Sequence, residues 1–404
     1  MFDFDSIAKD FPLLNRQING RRLVYLDSAA TAQKPQCVID KMNAIYTNCN
    51  GNIHRAAHTM SNEVTAQYEN ARQIIKNFIG AESVKSIVFT SGATASINLV
   101  AYSYGVSIKK GDSIIVSEME HHSNIVPWQM LCERTGAELK VIPFDENGEL
   151  DARVYLNMLS SNTKIVAITA ASNFLGTMPD LEFYISKAHE VGAKVVVDAC
   201  QGVVHGEINV KELDCDFLAF SAHKLYAPTG MGVLYGKEEL LEAMPPFLGG
   251  GDMVDTVTFQ KTTYAELPLK FEAGTTPYVE AIGLSEAIEY LNRIDFAAAR
   301  SHEHALLSYA TERLGKIEGL RIYGNAKRRC SLLSFNIDGI HPFDLALLLD
   351  KQGVAVRSGT HCAQPAMQHF SITGSVRASF AFYNSFDDID VLYSSIERAV
   401  TMLR

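Results

Sequence analysis

Up to about Gly274 the chain alternates two patterns of apolar and polar positions. Short apolar, β-branched runs at Ser86–Thr90, Ser113–Ser117, Lys164–Ala170, Lys194–Asp198, Asp216–Ser221 and Gly232–Tyr235 predict strands. Stretches with helical spacing lie between them, such as Thr94–Tyr104 closed by Gly105 and Leu181–Val191 closed by Gly192. The runs Ile165–Ile168 and Val195–Val197 are apolar at every position, which fits strands covered on both faces and hence a mostly parallel sheet under helices. Beyond Gly274 the rhythm changes. A helix from Tyr278 to about Leu291 continues toward Lys316 with one break, and strands follow near Leu320–Tyr323 and Ser331–Ile337. Next come a helix over Pro342–Gln352, strands near Val354–Arg357 and Val376–Phe380, and a last helix from about Asp387. The pattern predicts an α/β protein with a large domain over 16–292 and a smaller α/β C-terminal domain over 293–404, with residues 1–15 packing on the smaller one.

A chain of 404 residues is long enough to bury a substantial core without disulfide staples. Hydrophobic residues at 47% and charged residues at 20% are those of a folded globular protein, not a disordered one. The 36 basic and 46 acidic residues leave a net charge of −10, which argues against general nucleic-acid binding. No apolar run reaches the roughly 18 residues that would suggest a membrane span, and the acidic start M-F-D-F-D-S lacks the layout of a signal peptide. Seven scattered cysteines without a C-x-x-C pair point away from a disulfide framework or structural zinc, and toward a reducing, cytoplasmic setting.

The chemistry-bearing residues gather at predicted strand ends, where open α/β sheets place their ligands. Asp198 ends the V-V-V run, where it serves equally well as a cap of the next turn. Ser221, His223 and Lys224 end the F-L-A-F run; a lysine there is either a loop surface residue or a partly desolvated amine fit for covalent bonding to a carbonyl. The small hydroxylic segment Thr90–Ser96, including Thr94, opens a helix and would suit a phosphate, although it also reads as an ordinary N-cap and lacks the Walker spacing. His121 and His122 follow the Ser113–Ser117 run, and one flat ring there could stack on a planar cofactor. His54 and His58 share a helical face, but Arg55 stands where a zinc-binding helix of the zincin kind has glutamate, so no metal is expected. A phosphate cradle, a flat ring, a carboxylate and a lysine together are the set that pyridoxal 5′-phosphate requires. In the smaller domain, Cys362 lies in a glycine-flanked loop beside His361 and near Arg357, a setting in which cationic neighbours favour the nucleophilic thiolate. Arg377, at a strand start, could clamp a carboxylate.

With these motifs the sequence resembles the SufS-type (group II) cysteine desulfurases, aspartate-aminotransferase-like PLP enzymes of fold type I. The resemblance runs in order through Y-L-D-S-A-A-T-A-Q-K-P from Tyr25, N-I-H-R-A-A-H from Asn52, M-E-H-H-S-N-I-V-P-W-Q-M from Met119, V-D-A-C-Q from Val197, S-A-H-K-L-Y-A-P-T-G-M-G from Ser221, F-E-A-G-T from Phe271, R-S-G-T-H-C-A-Q-P from Arg357 and R-A-S from Arg377. It implies a large sheet of the seven-stranded kind and a homodimer. Lys224 would carry PLP covalently, Asp198 would pair with its ring nitrogen, Gln201 would meet its phenolic oxygen and His121 would stack on it and move protons. Thr94, Ser221 and His223 would hold the phosphate, with Thr275 from the neighbouring subunit. Asn173, Arg357 and Arg377 would bind the substrate carboxylate. Cys362 would take sulfur from L-cysteine as a persulfide, leaving L-alanine, and pass it to an acceptor protein of the SufE or SufU type for iron–sulfur cluster assembly. Selenocysteine lyase and cysteine sulfinate desulfinase chemistry use the same constellation, and an aminotransferase is a more distant alternative.

Overall fold

A computed structural model describes residues 4–404 of the chain. Its centre is a seven-stranded sheet built from β1 (Ile87–Thr90), β2 (Ser113–Ser117), β3 (Glu138–Ile142), β4 (Thr163–Thr169), β5 (Lys194–Asp198), β6 (Phe217–Ser221) and β7 (Gly232–Gly236). The order across the sheet is β1-β7-β6-β5-β4-β2-β3. Only β7 runs antiparallel to its neighbours, β1 and β6; all other pairs are parallel. Since β7 reverses twice, β1 points the same way as β6, and the carboxyl ends of six strands share one edge of the sheet. The all-apolar runs lie at the centre, where Val195, Val196 and Val197 are inaccessible to solvent. Burying each such side chain stabilises the fold by roughly 1.5–3 kcal/mol. Within this sheet the sequence pattern misses one strand, β3. It is one of the two edge strands, and its E-L-K-V-I stretch stays largely solvated and does not show an apolar run.

Helices α1 (Gln36–Asn48), α2 (Thr59–Phe78) and α3 (Ala93–Ser103) precede and flank the early strands, and α4 (Tyr278–Arg293) packs on α1 and α2. The stretch from His54 to His58 is not helical; His58 is the N-cap of α2 and accepts the Ser61 N–H, so the two histidines do not share a helix face. The break foreseen before Lys316 falls between α4 and α5 (Phe296–Leu314). The C-terminal part then forms a second, antiparallel sheet of β8 (Leu320–Tyr323), β9 (Leu332–Ile337), β10 (Arg357–Gly359) and β11 (Ser375–Ser379), ordered β8-β9-β11-β10. Helices α6 (Pro342–Lys351) and α7 (Phe386–Leu403) enclose its own core of Leu333, Phe335, Leu349, Ile389 and Leu392.

The expected strand over Val354–Arg357 is split between two sheets. Val354–Ala355 pairs in parallel with Val24–Tyr25, and the chain then enters β10 at Arg357. This brings the N-terminal segment against the C-terminal part and puts Asp27 beside β11, with which it forms an isolated bridge at Ser379. Residues 1–3 of the N-terminal stretch expected on the smaller unit lie outside the described residues. Phe11 sits fully buried among Tyr226 and Tyr290 on one side and Phe382 and Tyr383 on the other, where the two parts of the chain meet.

Candidate active site

Where the carboxyl ends of β1, β2, β4, β5 and β6 face β10, β11 and the loop after β10, they enclose a cavity of about 410 Å³. Ten residues singled out from the sequence line it: Thr94, His121, Asn173, Asp198, Ser221, His223, Lys224, Arg357, Cys362 and Arg377. Gln201 and Thr275 do not. Gln201 is buried just behind the wall and donates from Nε2 to the Ala29 carbonyl at 2.7 Å, while Thr275 is exposed in the turn before α4.

One end of the cavity is made for an anion. Gly92, with φ +149°, caps α3 and offers no side-chain acceptor to the first N–H groups of the helix. A side chain at Gly232 on β7 would meet the Gly92 backbone at 2.4 Å, so the two glycines let strand and turn press together. The Ser221 hydroxyl accepts the Ala93 N–H at 2.9 Å, which couples the end of β6 to this helix start. Free N–H groups at the positive end of a helix dipole, flanked by the hydroxyls of Ser221 and Thr94, form a phosphate-type cradle. The side chains of Ala93 and Ala95 add no donor, so the cradle rests on backbone and on Ser221, Thr94 and His223.

At the centre stand Asp198, Lys224 and His121. Asp198 is 3% exposed, and its Oδ1 accepts the Cys200 N–H at 3.0 Å. Lys224 ends the short helical turn that follows β6. His121 Nδ1 accepts the N–H of Ser123 at 3.1 Å, which leaves the proton of the neutral ring on Nε2. Burial, reinforced by the charge of Lys224, lowers the His121 pKa to about 4, and burial likewise holds His223 at about 4. Both rings are therefore neutral near pH 7. Beneath His121, the fully buried Glu120 accepts Ser117 Oγ at 2.5 Å and the Thr169 N–H at 2.8 Å on one oxygen, and Asn124 Nδ2 at 2.7 Å on the other. Burial still pushes its pKa up to about 8. Glu120 thus ties the turn that carries His121 to the end of β4.

The far wall holds two guanidinium groups and one carboxylate. Arg357 on β10 and Arg377 on β11 are directly opposite each other across the strand pair. Asp27 lies between them. It accepts Arg357 Nε at 3.1 Å and NH2 at 3.0 Å on Oδ2, and Arg377 NH2 at 3.3 Å on Oδ1. Arg377 is buried, with NH1 on the Asn173 carbonyl at 2.7 Å and its Nε without a protein partner. Asn173 Oδ1 is likewise buried and unpartnered. Such orphaned donors and acceptors at a cavity wall mark where a ligand completes the hydrogen bonding.

Cys362 is the exposed member among seven free cysteines, the other six being buried or half-buried. His361 and Cys362 both take left-handed backbone angles, φ +50° and +55°, which costs an L-residue roughly 1–2 kcal/mol apiece. Hydrogen bonds hold this shape: His122 N–H to the Cys362 carbonyl at 2.9 Å, Asn173 Nδ2 to the His361 carbonyl at 2.7 Å, and Gln364 N–H to His122 Nε2 at 3.3 Å. The short helix that follows, Gln364–His369, seats Ala366 and Met367 among Met119, Phe144 and Phe174. The two adjacent histidines thus divide their work, His121 lining the cavity and His122 bracing the cysteine loop.

His361 corrects one expectation. It is not a cationic neighbour of Cys362, because its ring turns inward, with Nε2 on the Ser375 carbonyl at 3.1 Å and its face on Phe174. Burial lowers its pKa to about 3, so Arg357 is the cation left to act on Cys362. The sequence reading also passed over Asp27, Glu120 and Ser123. Nothing local in the sequence singled out Glu120, since Glu118 lies nearer the strand end and only the folded chain shows which of the two is buried.

Comparison with known proteins agrees with this geometry. The family model described as aminotransferase class-V matches residues 24–392. A probable cysteine desulfurase from Vibrio cholerae serotype O1 is 48% identical over 404 residues, the whole of both chains. A cysteine desulfurase from Synechococcus elongatus is 46% identical over 99% of this chain, which spans 64% of that protein's length. Among solved structures, the cysteine desulfurase CsdA from Escherichia coli superposes with a TM-score of 0.94 at 42% identity and full coverage of both chains. The architecture is that of the fold type I, aspartate-aminotransferase-like proteins. The lysine, the buried carboxylate, the flat neutral ring and the helix-end cradle fit pyridoxal 5′-phosphate.

Proposed function

The chain belongs to the class-V aminotransferase family, and we propose that within it the protein works as a PLP-dependent cysteine desulfurase of the SufS-type, group II kind. The observation that carries this reading is a single exposed cysteine, Cys362, lining the same cavity as Lys224 and Asp198. When bound, PLP supplies an electron sink for the carbon that bears the substrate amino group. Lys224 would hold the cofactor covalently and would exchange protons beside it. Asp198 supplies the negative charge that keeps a ring nitrogen protonated. Gln201 has a second amide hydrogen free of Ala29 for the phenolic oxygen. Thr94, Ser221, His223 and the first N–H groups of α3 bind the phosphate, with Thr275 contributed across a homodimer.

His121 presents a neutral ring with its proton on Nε2, fit to stack on a planar group and to give or take a proton at its edge. Arg377 and Asn173 line the wall of the cavity and would bind the substrate carboxylate there, with Arg357 beside them. Cys362 Sγ attacks the sulfur of L-cysteine. A sulfur–sulfur bond forms, the Cβ–S bond breaks with its electron pair left on carbon, and protonation of that carbon gives the methyl group of L-alanine. Cys362 keeps the sulfur as a persulfide. The loop around Cys362 is short and packed, so it does not carry the sulfur far. A SufE- or SufU-type acceptor therefore comes to it, for iron–sulfur cluster assembly in the cytoplasm. The units 16–292 and 293–404 serve as the cofactor-binding and nucleophile-bearing domains. No helix among the described residues is long and apolar enough to cross a membrane.

The test is a peptide mass map after incubation of the holoenzyme with L-cysteine, without reductant and with thiols trapped. One added sulfur on Cys362, lost in Cys362→Ala, is the expected result. Sulfur transfer that survives Cys362→Ala overturns the reading.

A further inference from the structure

A second lysine stands directly behind Lys224. Lys34, in the stretch A-T-A-Q-K-P, is half-buried and does not line the cavity, whereas His223 and Lys224 do. Its Nζ donates to the Ala32 carbonyl, to Thr31 Oγ1 at 3.3 Å and to the His223 carbonyl at 3.1 Å. An ammonium carries three N–H donors, and here all three are engaged. A neutral amine has two and would leave one of these oxygens without its partner. The arrangement therefore calls for the charged form, although burial pulls the Lys34 pKa down to about 8.

The His223 carbonyl is where these bonds meet. Besides Lys34 Nζ it accepts the Ala32 N–H at 3.0 Å and the Thr31 hydroxyl at 3.2 Å. Three donors from residues 31–34 thus converge on the oxygen that precedes Lys224 in the chain. Lys34 also donates to the Thr31 oxygen whose own hydrogen goes to His223, so the two bonds polarise each other. The stretch is anchored in turn by the Tyr25 hydroxyl on the Thr31 carbonyl at 2.7 Å and by the Gln33 N–H on the Tyr383 hydroxyl at 3.3 Å.

The turn that bears Lys224 needs such support. It is one short helical turn, Ala222–Lys224, and two residues later Tyr226 takes a left-handed φ of +59°, which an L-residue adopts only when its surroundings hold it there. The bonds within the turn are few, among them Leu225 N–H to the Ala222 carbonyl at 2.8 Å. The His223 ring adds no charge beside the two amines, since burial, followed by the charges of Lys224 and Lys34, lowers its pKa to about 4.

We propose that Lys34 is a positioning residue for cofactor attachment: its ammonium, with the Thr31 hydroxyl and the Ala32 N–H, clamps the His223 carbonyl and so fixes the turn from which Lys224 reaches PLP. The inference rests on Lys224 being the attachment lysine. In attachment the free Lys224 amine adds to the aldehyde carbon of PLP, a carbon–nitrogen bond forms, and the aldehyde oxygen leaves as water with the two amine hydrogens. Lys34 takes no part in that bond. Attachment depends on where the turn places the amine, and small displacements of a reacting group are costly.

The experiment compares PLP with pyridoxine 5′-phosphate, which keeps the ring and the phosphate but has an alcohol in place of the aldehyde. Wild-type and Lys34→Met holoenzymes are dialysed against graded PLP, and the absorbance of the lysine-bound cofactor gives its Kd. Competition by pyridoxine 5′-phosphate gives the affinity of the pocket without the covalent bond. Lys34→Met is expected to raise the Kd of PLP at least tenfold, as loss of a charged hydrogen bond does, and to leave that of pyridoxine 5′-phosphate within threefold. A merely structural loosening of the pocket would weaken both ligands alike. If Lys34→Met does not fold, Thr31→Val carries the test, with a selective loss of PLP affinity of at least threefold expected. A selective loss smaller than threefold, or one shared equally by the two ligands, overturns the inference. Borohydride reduction of the wild-type holoenzyme and peptide mapping are expected to find PLP on Lys224. PLP on another lysine of the wild type overturns the assignment of Lys224, and the inference with it, whereas the ligand split in the variants speaks to Lys34 alone.

Discussion

Lys224, Asp198 and His121 stand close to the ends of strands whose residues are buried, Lys194 at the far end of one of them excepted. Cys362 stands exposed on a loop of two successive left-handed residues, held by three hydrogen bonds from His122, Asn173 and Gln364. The first group takes its geometry from a packed sheet that cannot shift without opening the core. The second takes its geometry from a few polar staples set against backbone strain. The difference suits the two tasks. A cofactor must be held in one plane, while a nucleophile that later surrenders its sulfur must reach solvent. It also means that the two regions fail in different ways when substituted.

The sharpest break is Lys224→Ala, expected to lower L-alanine formation by about a thousandfold or more, because covalent and proton-transfer roles are lost together. Loss of the lysine-bound cofactor absorbance checks that assignment. Cys362→Ala is expected to abolish persulfide while leaving that absorbance unchanged, so the two regions separate by spectrum. His121→Ala is expected to reduce kcat by about 10²–10³-fold, as loss of a positioned proton carrier does, with a smaller change in cofactor affinity.

His122→Ala tests the staples. It removes the acceptor for Gln364 N–H, a contact worth about 1 kcal/mol, so persulfide formation on Cys362 is expected to slow by about three- to tenfold with little change in Tm. Acid should act in the same direction. Protonated His122 offers a donor where Gln364 needs an acceptor, and burial puts this titration below the ordinary histidine range. The effect expected at His361 is on stability and not on turnover. Its folded pKa of about 3 lies below the ordinary 6.5, so the unfolded chain binds the proton more tightly. The stability involved is complete above pH 6.5 and falls as pH drops toward 3. Thermal melts of His361→Gln should therefore fall less steeply than the wild type between pH 6.5 and 4.

Much of the cofactor side was legible because its signals are local. A buried parallel strand announces itself as an apolar run, and the residue that follows it faces the ligand edge of the sheet. Asp198, Ser221 and Lys224 were found in this way. Strand β3 was not, because an edge strand with one solvated face mixes its pattern with that of a loop. The loop of Cys362 was visible as a glycine-flanked segment, but the inward turn of His361 was not, since nothing adjacent to it names Ser375 or Phe174.

The sequence by itself determined the α/β class, most strand ends and the residue types that pyridoxal phosphate needs, because each depends on neighbours a few positions away. Only the tertiary structure decided that Glu120 joins the turn of His121 to β4, that His122 braces Cys362, and that one carboxylate at Asp27 serves arginines 330 and 350 residues away. Such pairings arise where separate strands come to lie side by side. Their strength depends on burial and on the net charge of the wall, quantities that exist only once the chain has folded.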